Sequence, residues 1–170
     1  MFSTKPSRRL LLLLCLLSPL PLSALTSDKD QPMQLEADSV SIDDASGVSL
    51  YEGNVVITQG SLKLWADRLW IHRKDGKTEK IISEGKPTHF QQQMDDSEEL
   101  VRGHALKAEF LIDRDELLLY DDAVLEQGPD QFRSDRILYN RATARVNAGT
   151  SAAGKERVRV IIEPQKKTTP

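Results

Sequence analysis

Three histidines, a glycine-lysine motif, scattered serines and paired acids are the residues in this sequence with chemical potential. Gly149-Thr150-Ser151-Ala152-Ala153-Gly154-Lys155 has the spacing of a phosphate-binding P-loop. The next residue is Glu156, where the motif needs a Ser or Thr hydroxyl for the metal. Downstream of it, Arg157 to Ile162 alternate like a strand, so there is no helix N-terminus to cradle a phosphate. The segment therefore reads as a flexible Gly/Ala/Ser loop. His72, His89 and His104 are far apart and lack acidic or cysteine companions at metal-ligand spacing. The serines show no G-x-S-x-G elbow for nucleophilic attack. Asp43-Asp44, Asp95-Asp96 and Asp121-Asp122 fall in turns, where carboxylates are solvated. The expectation is a chain that is not an enzyme and has no metal and no cofactor, and that acts by binding.

The first two dozen residues read as an export signal. Lys5, Arg8 and Arg9 precede an apolar run from Leu10 to Leu17, Pro19 and Pro21 break it, and Ser23-Ala24 offers small residues for cleavage. The run is too short to span a bilayer, which takes roughly 20 residues. Cys15 belongs to this run; Leu12, Leu13 and Leu14 before it do not make a lipidation site. Residues 1–24 are expected to be removed, with the mature chain starting near Leu25 in the periplasm. The leader holds three of the 23 basic residues and none of the 26 acidic ones, so 20 remain against 26, a net charge of −6. That balance excludes a nucleic-acid partner. The single cysteine also leaves with the leader. Packing and backbone pairing must then hold one domain, 25–162, ahead of a loose polar tail, 163–170.

An octet recurs four times: apolar, any, small, Asp or His, any, apolar, any, apolar or small. The copies are Leu35-Glu36-Ala37-Asp38-Ser39-Val40-Ser41-Ile42, Leu64-Trp65-Ala66-Asp67-Arg68-Leu69-Trp70-Ile71, Val101-Arg102-Gly103-His104-Ala105-Leu106-Lys107-Ala108 and Phe132-Arg133-Ser134-Asp135-Arg136-Ile137-Leu138-Tyr139. Their Asp or His positions lie 29, 37 and 31 residues apart. On either side of the central pair the pattern alternates as in a half-buried strand; across the pair it slips by one residue. Such a slip turns the apolar set to the wrong face unless the strand bends there. The reading is four bent strands with a corner at each small-Asp pair, the carboxylate bonding nearby amides. His104 takes the third corner, a structural place.

Turn signals separate the octets at Asp43 to Gly47, Lys74 to Lys77, Asp113 to Glu116 and Asn140 to Thr143. Tyr51-Glu52-Gly53-Asn54-Val55-Val56-Ile57-Thr58-Gln59-Gly60 is echoed by Tyr120-Asp121-Asp122-Ala123-Val124-Leu125-Glu126-Gln127-Gly128. Ser83 to Pro87 and Val146 to Gly149 hold the corresponding places. No stretch keeps a helical period, so the fold class is all-β, an antiparallel stack in one domain. Neither end has a cap. The first strand (Met33, Gln34, Leu35, Glu36) and the last (Arg157, Val158, Val160, Ile162) are the candidate open edges, which invite strand addition.

Asp30-Gln31-Pro32-Met33-Gln34-Leu35-Glu36-Ala37-Asp38, Gly53-Asn54-Val55-Val56-Ile57-Thr58-Gln59-Gly60 and Gly103-His104-Ala105 resemble the OstA-like lipopolysaccharide-transport A family, from about Asp28 to Ile162. The resemblance implies an open, twisted β-jellyroll of about sixteen antiparallel strands that stacks head to tail as a homo-oligomer. Its N-terminal edge would meet the inner-membrane C component, and its C-terminal edge the outer-membrane D component. Lipopolysaccharide acyl chains would slide along a shared inner groove. The resemblance carries groove roles to Met33, Leu35, Phe90, Phe110 and Ile112. A cleavable leader separates this chain from the anchored C component, and Lys166-Lys167 suit the A family's variable tail. Trp65 and Trp70 depart from the family pattern, being bulkier than expected.

By phase, Leu35, Val40, Ile42, Leu64, Leu69, Ile71, Leu106, Phe110, Phe132, Ile137 and Tyr139 point inward. They are ordinary core or, with the family in view, a core that partly lines a groove; Leu64, Leu69, Leu106 and Phe132 join the groove set. Trp65 and Trp70 point outward, under a loop or toward a partner. Arg102, Lys107, Arg133 and Arg136 either meet phosphates or form a charged face. The competing readings are a non-binding structural β-repeat module of the envelope and, third, an exported hydrolase.

Overall fold

Residues 28–94, 99–149 and 157–162 are described by a computed structural model. Residues 1–27, where a leader is expected, 95–98, most of the glycine-lysine motif and 163–170 lie outside the described residues. The chain forms β1 (Gln34–Glu36), β2 (Ser39–Asp43), β3 (Val48–Gln59), β4 (Leu62–Lys74), β5 (Lys77–Gln93), β6 (Leu100–Leu111), β7 (Glu116–Gln127), β8 (Asp130–Asn140), β9 (Arg145–Ala148) and β10 (Arg159–Ile161). All pair antiparallel in a single open sheet, in the order β1-β3-β4-β5-β6-β7-β8-β10, with β2 also on β3 and β9 also on β8. Among the described residues there is no α-helix.

Turn chemistry sets the meander. Asp75 and Gly76 both take positive φ (51° and 75°), the two-residue hairpin geometry that suits strand twist. Asp43 Oδ1 accepts from the Ala45 amide at 2.9 Å, and Asn140 Oδ1 from the Thr143 amide at 3.0 Å.

Every long strand breaks register near its middle, and the β4–β5 pair shifts a second time at His72/Arg73, close to its hairpin. The mid-strand breaks fall at Gly53-Asn54, Ala66-Asp67, Gly85 to Pro87, Ala105-Leu106, Asp121-Asp122 and Asp135. The gap between β1 and β2, at Ala37-Asp38, falls on the same line. These corners form one crease that folds the sheet into two facing arms. Ten strands are thus present where about sixteen were expected. Six of them cross the crease and contribute a segment to each arm, so with the four short strands the sheet has sixteen strand segments. Asp121 and Asp122 adopt positive φ (60° and 52°) where β3 uses Gly53 and Asn54; Asp tolerates that region better than most residues. At the first corner Asp38 accepts from the Asn54 side chain at 2.8 Å, joining neighbouring strands rather than binding its own amides.

The third octet is misphased in the sequence reading. The crease passes through Ala105-Leu106, two residues after Gly103-His104, and His104 stays in regular register between His89 and Val124. His104 is therefore not a corner. Corners at 38, 67, 106 and 135 lie 29, 39 and 29 residues apart. The cause is a glycine in an apolar slot of the pattern. Gly103 faces Phe90, and a Cβ there would sit 2.3 Å from the Phe90 ring. The ring fills the space that a large side chain takes in the other octets. In consequence Leu106 sits at the apex of a corner and is 43% exposed, not inward.

Register lines the inner side chains into rows that cross every strand. One arm carries Leu35, Ile57, Leu64, Phe90, Gly103, Leu125, Phe132 and Val160 in successive pairing. The other carries Ile42, Ser49, Ile71, Ile81, Phe110, Leu117, Tyr139 and Val146. Nearer the crease, Val40, Tyr51, Leu69, Ser83, Ala108, Leu119, Ile137 and Ala148 form a third row. Mid-sheet the rows are core: Leu69, Leu119, Leu125 and Ile137 are fully buried. At the ends they open. Val40 and Ile42 keep the inward phase yet are 56% and 60% exposed, because among the described residues no further strand covers them. Val160 and Ile162, at the other end, are 46% and 73% exposed.

Candidate functional site

Between the arms lies a narrow apolar slot. Ile57, Leu62, Leu64 and Phe90 line it from one arm, Ile81, Phe110 and Leu117 from the other, with Met33 and Arg141 beside its mouth. Its cavity volume is about 30 Å³, so in this state the two arms almost close on each other. Alternation along each strand delivers these side chains to one face, and the crease turns the two faces toward each other.

Met33, Leu64, Phe90 and Phe110 come together in this slot. Leu35 and Phe132 lie in the same inner row, toward the two ends. Ile112 packs half-buried on the core from a short 3-10 turn, Ile112–Arg114, after β6. Leu69 is sealed in the row nearer the crease and does not line the slot. Leu106, on the outer apex, is not part of it. Ile57, Leu62, Ile81 and Leu117 were missed although their alternation marked them as inward; no octet contains them. Arg141 sits in a turn and had no signal at all.

Arg141 joins the slot to a second, polar cleft. Its guanidinium lies 4.7 Å from the Phe110 ring centroid, and its Nε is 3.5 Å from Asp115 Oδ1. The cleft it shares with Asp28 also involves Gln92, Asp115, Tyr139 and Thr143. Asp28 Oδ1 accepts from the Ser61 amide (2.8 Å), and Oδ2 accepts from the Ser61 hydroxyl (2.6 Å) and Gln92 Nε2 (2.8 Å). Burial pushes the Asp28 carboxyl up, but these bonds and the Arg141 charge outweigh it and hold its pKa below the ordinary carboxylate value.

The proposed edges have one partner strand each. Among the described residues β1, with Gln34 and Glu36, pairs only with β3, and β10 pairs only with β8. Arg157 and Val158 precede β10 and are exposed; Ile162 follows it. On the outer face, Arg68 lies 5.4 Å from the Trp70 ring centroid and pairs with Glu84 at 3.0 Å, so a side chain, not a loop, covers this tryptophan. Trp65 is exposed. His89 and His104 are cross-strand neighbours with ring centroids 5.7 Å apart. Burial and the charges of His89 and Arg133 push the His104 pKa down. Among the described residues no three His, Cys, Asp or Glu side chains converge as a metal site.

An open, creased antiparallel sheet with an apolar interior, whose end strands each have one partner among the described residues, defines the jellyroll class. Residues 34–145 match the family described as "LptA/(LptD N-terminal domain) LPS transport protein". The chain is 32% identical over 150 residues to the lipopolysaccharide export system protein LptH of Pseudomonas aeruginosa, covering 85% of this chain and 86% of that protein. It is 33% identical over 152 residues to the lipopolysaccharide export system protein LptA of Escherichia coli K12, covering 88% and 81%. The crystal structure of LptH, the LptA-homologous periplasmic component of the lipopolysaccharide transport device of Pseudomonas aeruginosa, superposes with a TM-score of 0.76 at 29% identity. It spans 82% of this chain and all of that one. This chain belongs to the LptA and LptD N-terminal-domain family of lipopolysaccharide transport proteins.

Proposed function

We propose that the protein binds lipopolysaccharide through its acyl chains in the slot and hands it along a head-to-tail stack across the periplasm. The observation that carries this reading is the inner rows: they run through the whole sheet and end in exposed apolar side chains at both open edges. A second copy pairing on either edge would extend both the sheet and the slot. The leader supports export, and the chain's family supports partnership with an inner-membrane C component at β1–β2 and an outer-membrane D component at β9–β10. Binding needs no reaction chemistry, since burying each CH₂ is worth about 0.8 kcal/mol. Directed movement then requires a partner that does work.

Mature protein starting at Leu25, mixed with purified lipopolysaccharide, tests the binding. Lipopolysaccharide should co-elute with protein on gel filtration, and short-chain detergent at sub-denaturing concentration should strip it. Co-elution with a slot-blocked variant such as Leu64→Trp, at the wild-type level, would argue that lipid sits elsewhere.

A further inference from the structure

The polar cleft beside the slot already holds an anion, and that anion belongs to the protein. Three hydrogen bonds converge on the Asp28 carboxylate, from the Ser61 amide and hydroxyl and the Gln92 side-chain amide. Arg141 lines the same cleft as this carboxylate. Asp28 is carried by the segment that precedes β1, five residues before Met33, which lies at the mouth of the apolar slot. One short stretch thus places an anionic group in the polar cleft and an apolar group at the slot. Arg141 borders both spaces. Asp115 meets its guanidinium at Nε, and a planar guanidinium carries further donors suited to phosphate on its other edge. An amphiphile with a phosphorylated headgroup has the same two-part chemistry as this segment.

We propose that Ser61, Gln92 and Arg141 form a phosphate-binding subsite for the headgroup of the lipid whose acyl chains enter the slot, and that Asp28 occupies this subsite in the unloaded protein. The inference rests on the proposed lipid-binding function. It assigns Asp28 as an internal competitor, displaced when the headgroup arrives. Displacement removes a carboxylate from the cleft that Arg141 lines, so the phosphate does not have to share that space with it. Among the described residues the same segment is also held by Gln59 Nε2 donating to the Gln31 carbonyl at 3.0 Å.

The test compares binding of lipid A carrying its phosphates with enzymatically dephosphorylated lipid A, in the same detergent, to mature wild type and variants. Asp28→Asn should tighten the phosphorylated lipid about three- to tenfold and leave the dephosphorylated one unchanged. Arg141→Gln should weaken the phosphorylated lipid about tenfold, again without effect on the other. Gln92→Ala should act in the same direction more weakly, and serves if Arg141→Gln fails to fold by circular dichroism. Equal loss for both lipids in Arg141→Gln and Gln92→Ala would overturn the subsite. If Asp28→Asn instead gains affinity only for inorganic phosphate, the site takes free phosphate and the headgroup assignment is wrong. Wild type that binds neither lipid would defeat the underlying function, an outcome distinct from loss of phosphate discrimination.

Discussion

Phe110→Asp should leave the protein folded and empty, whereas Leu125→Asp should unfold it. Both side chains face the interior, but their surroundings differ. Leu125 is fully buried in the mid-sheet row, between Gly103 and Phe132. A carboxylate there has neither water nor a partner, which costs several kcal/mol, comparable to the whole stability of a small domain. Phe110 lines the slot, is only half-buried and lies beneath the Arg141 guanidinium. An aspartate at that place can reach both water and a cation, so the fold survives with a small drop in melting temperature. Acyl chains would then have to pass a charge in a narrow apolar space, and lipopolysaccharide recovered with the protein should fall more than tenfold. Thermal unfolding and lipid content of the two variants give the answer together. Unfolding of Phe110→Asp would mean that the interior is closed core, as in a structural module that binds nothing.

The second large effect concerns assembly. β10 is only three residues long and, among the described residues, pairs on one side alone, with β8; in the proposed stack a following copy pairs on its other side. Val160→Pro removes one amide donor and places a ring where strands must approach. Concentration-dependent oligomers should disappear in light scattering, and binding to an outer-membrane jellyroll partner should weaken at least tenfold. The melting transition should shift by only a few degrees, because the core of β3 to β8 does not depend on β10. Oligomers that persist at wild-type concentrations would show that this edge does not mediate stacking.

Period-two alternation in the octets gave the all-β class, and a phase slip at each small-Asp pair marked the bends. Those bends align into the crease that makes the interior. Where the reading failed, one residue was responsible: Gly103 breaks the apolar pattern because Phe90, thirteen positions away in sequence, fills its space. Single-chain alternation does not reveal a cross-strand exchange of volume, so it puts the third corner at His104 and turns Leu106 inward, whereas the fold bends at Ala105-Leu106 and leaves Leu106 exposed. Val40 and Ile42 were phased correctly, but phase does not report that β2 stands at an open end. The apolar half of the candidate site was therefore partly legible. The polar half was not: Asp28, Ser61, Gln92 and Arg141 come from a lead-in segment, two turns and a strand end, and only the folded sheet brings them together.

Whether lipid travels between the arms is decided most directly by photo-crosslinking in living cells, with a benzophenone amino acid replacing Phe110 in one strain and Leu138 in another. Leu138 is paired with Leu118 and Asn147 and points to the outer face, one residue out of phase with the inward Ile137 and Tyr139. Passage through the slot predicts a lipopolysaccharide adduct from Phe110 and none above background from Leu138. Adducts of equal strength from both positions, or from Leu138 alone, would contradict passage of the lipid between the arms.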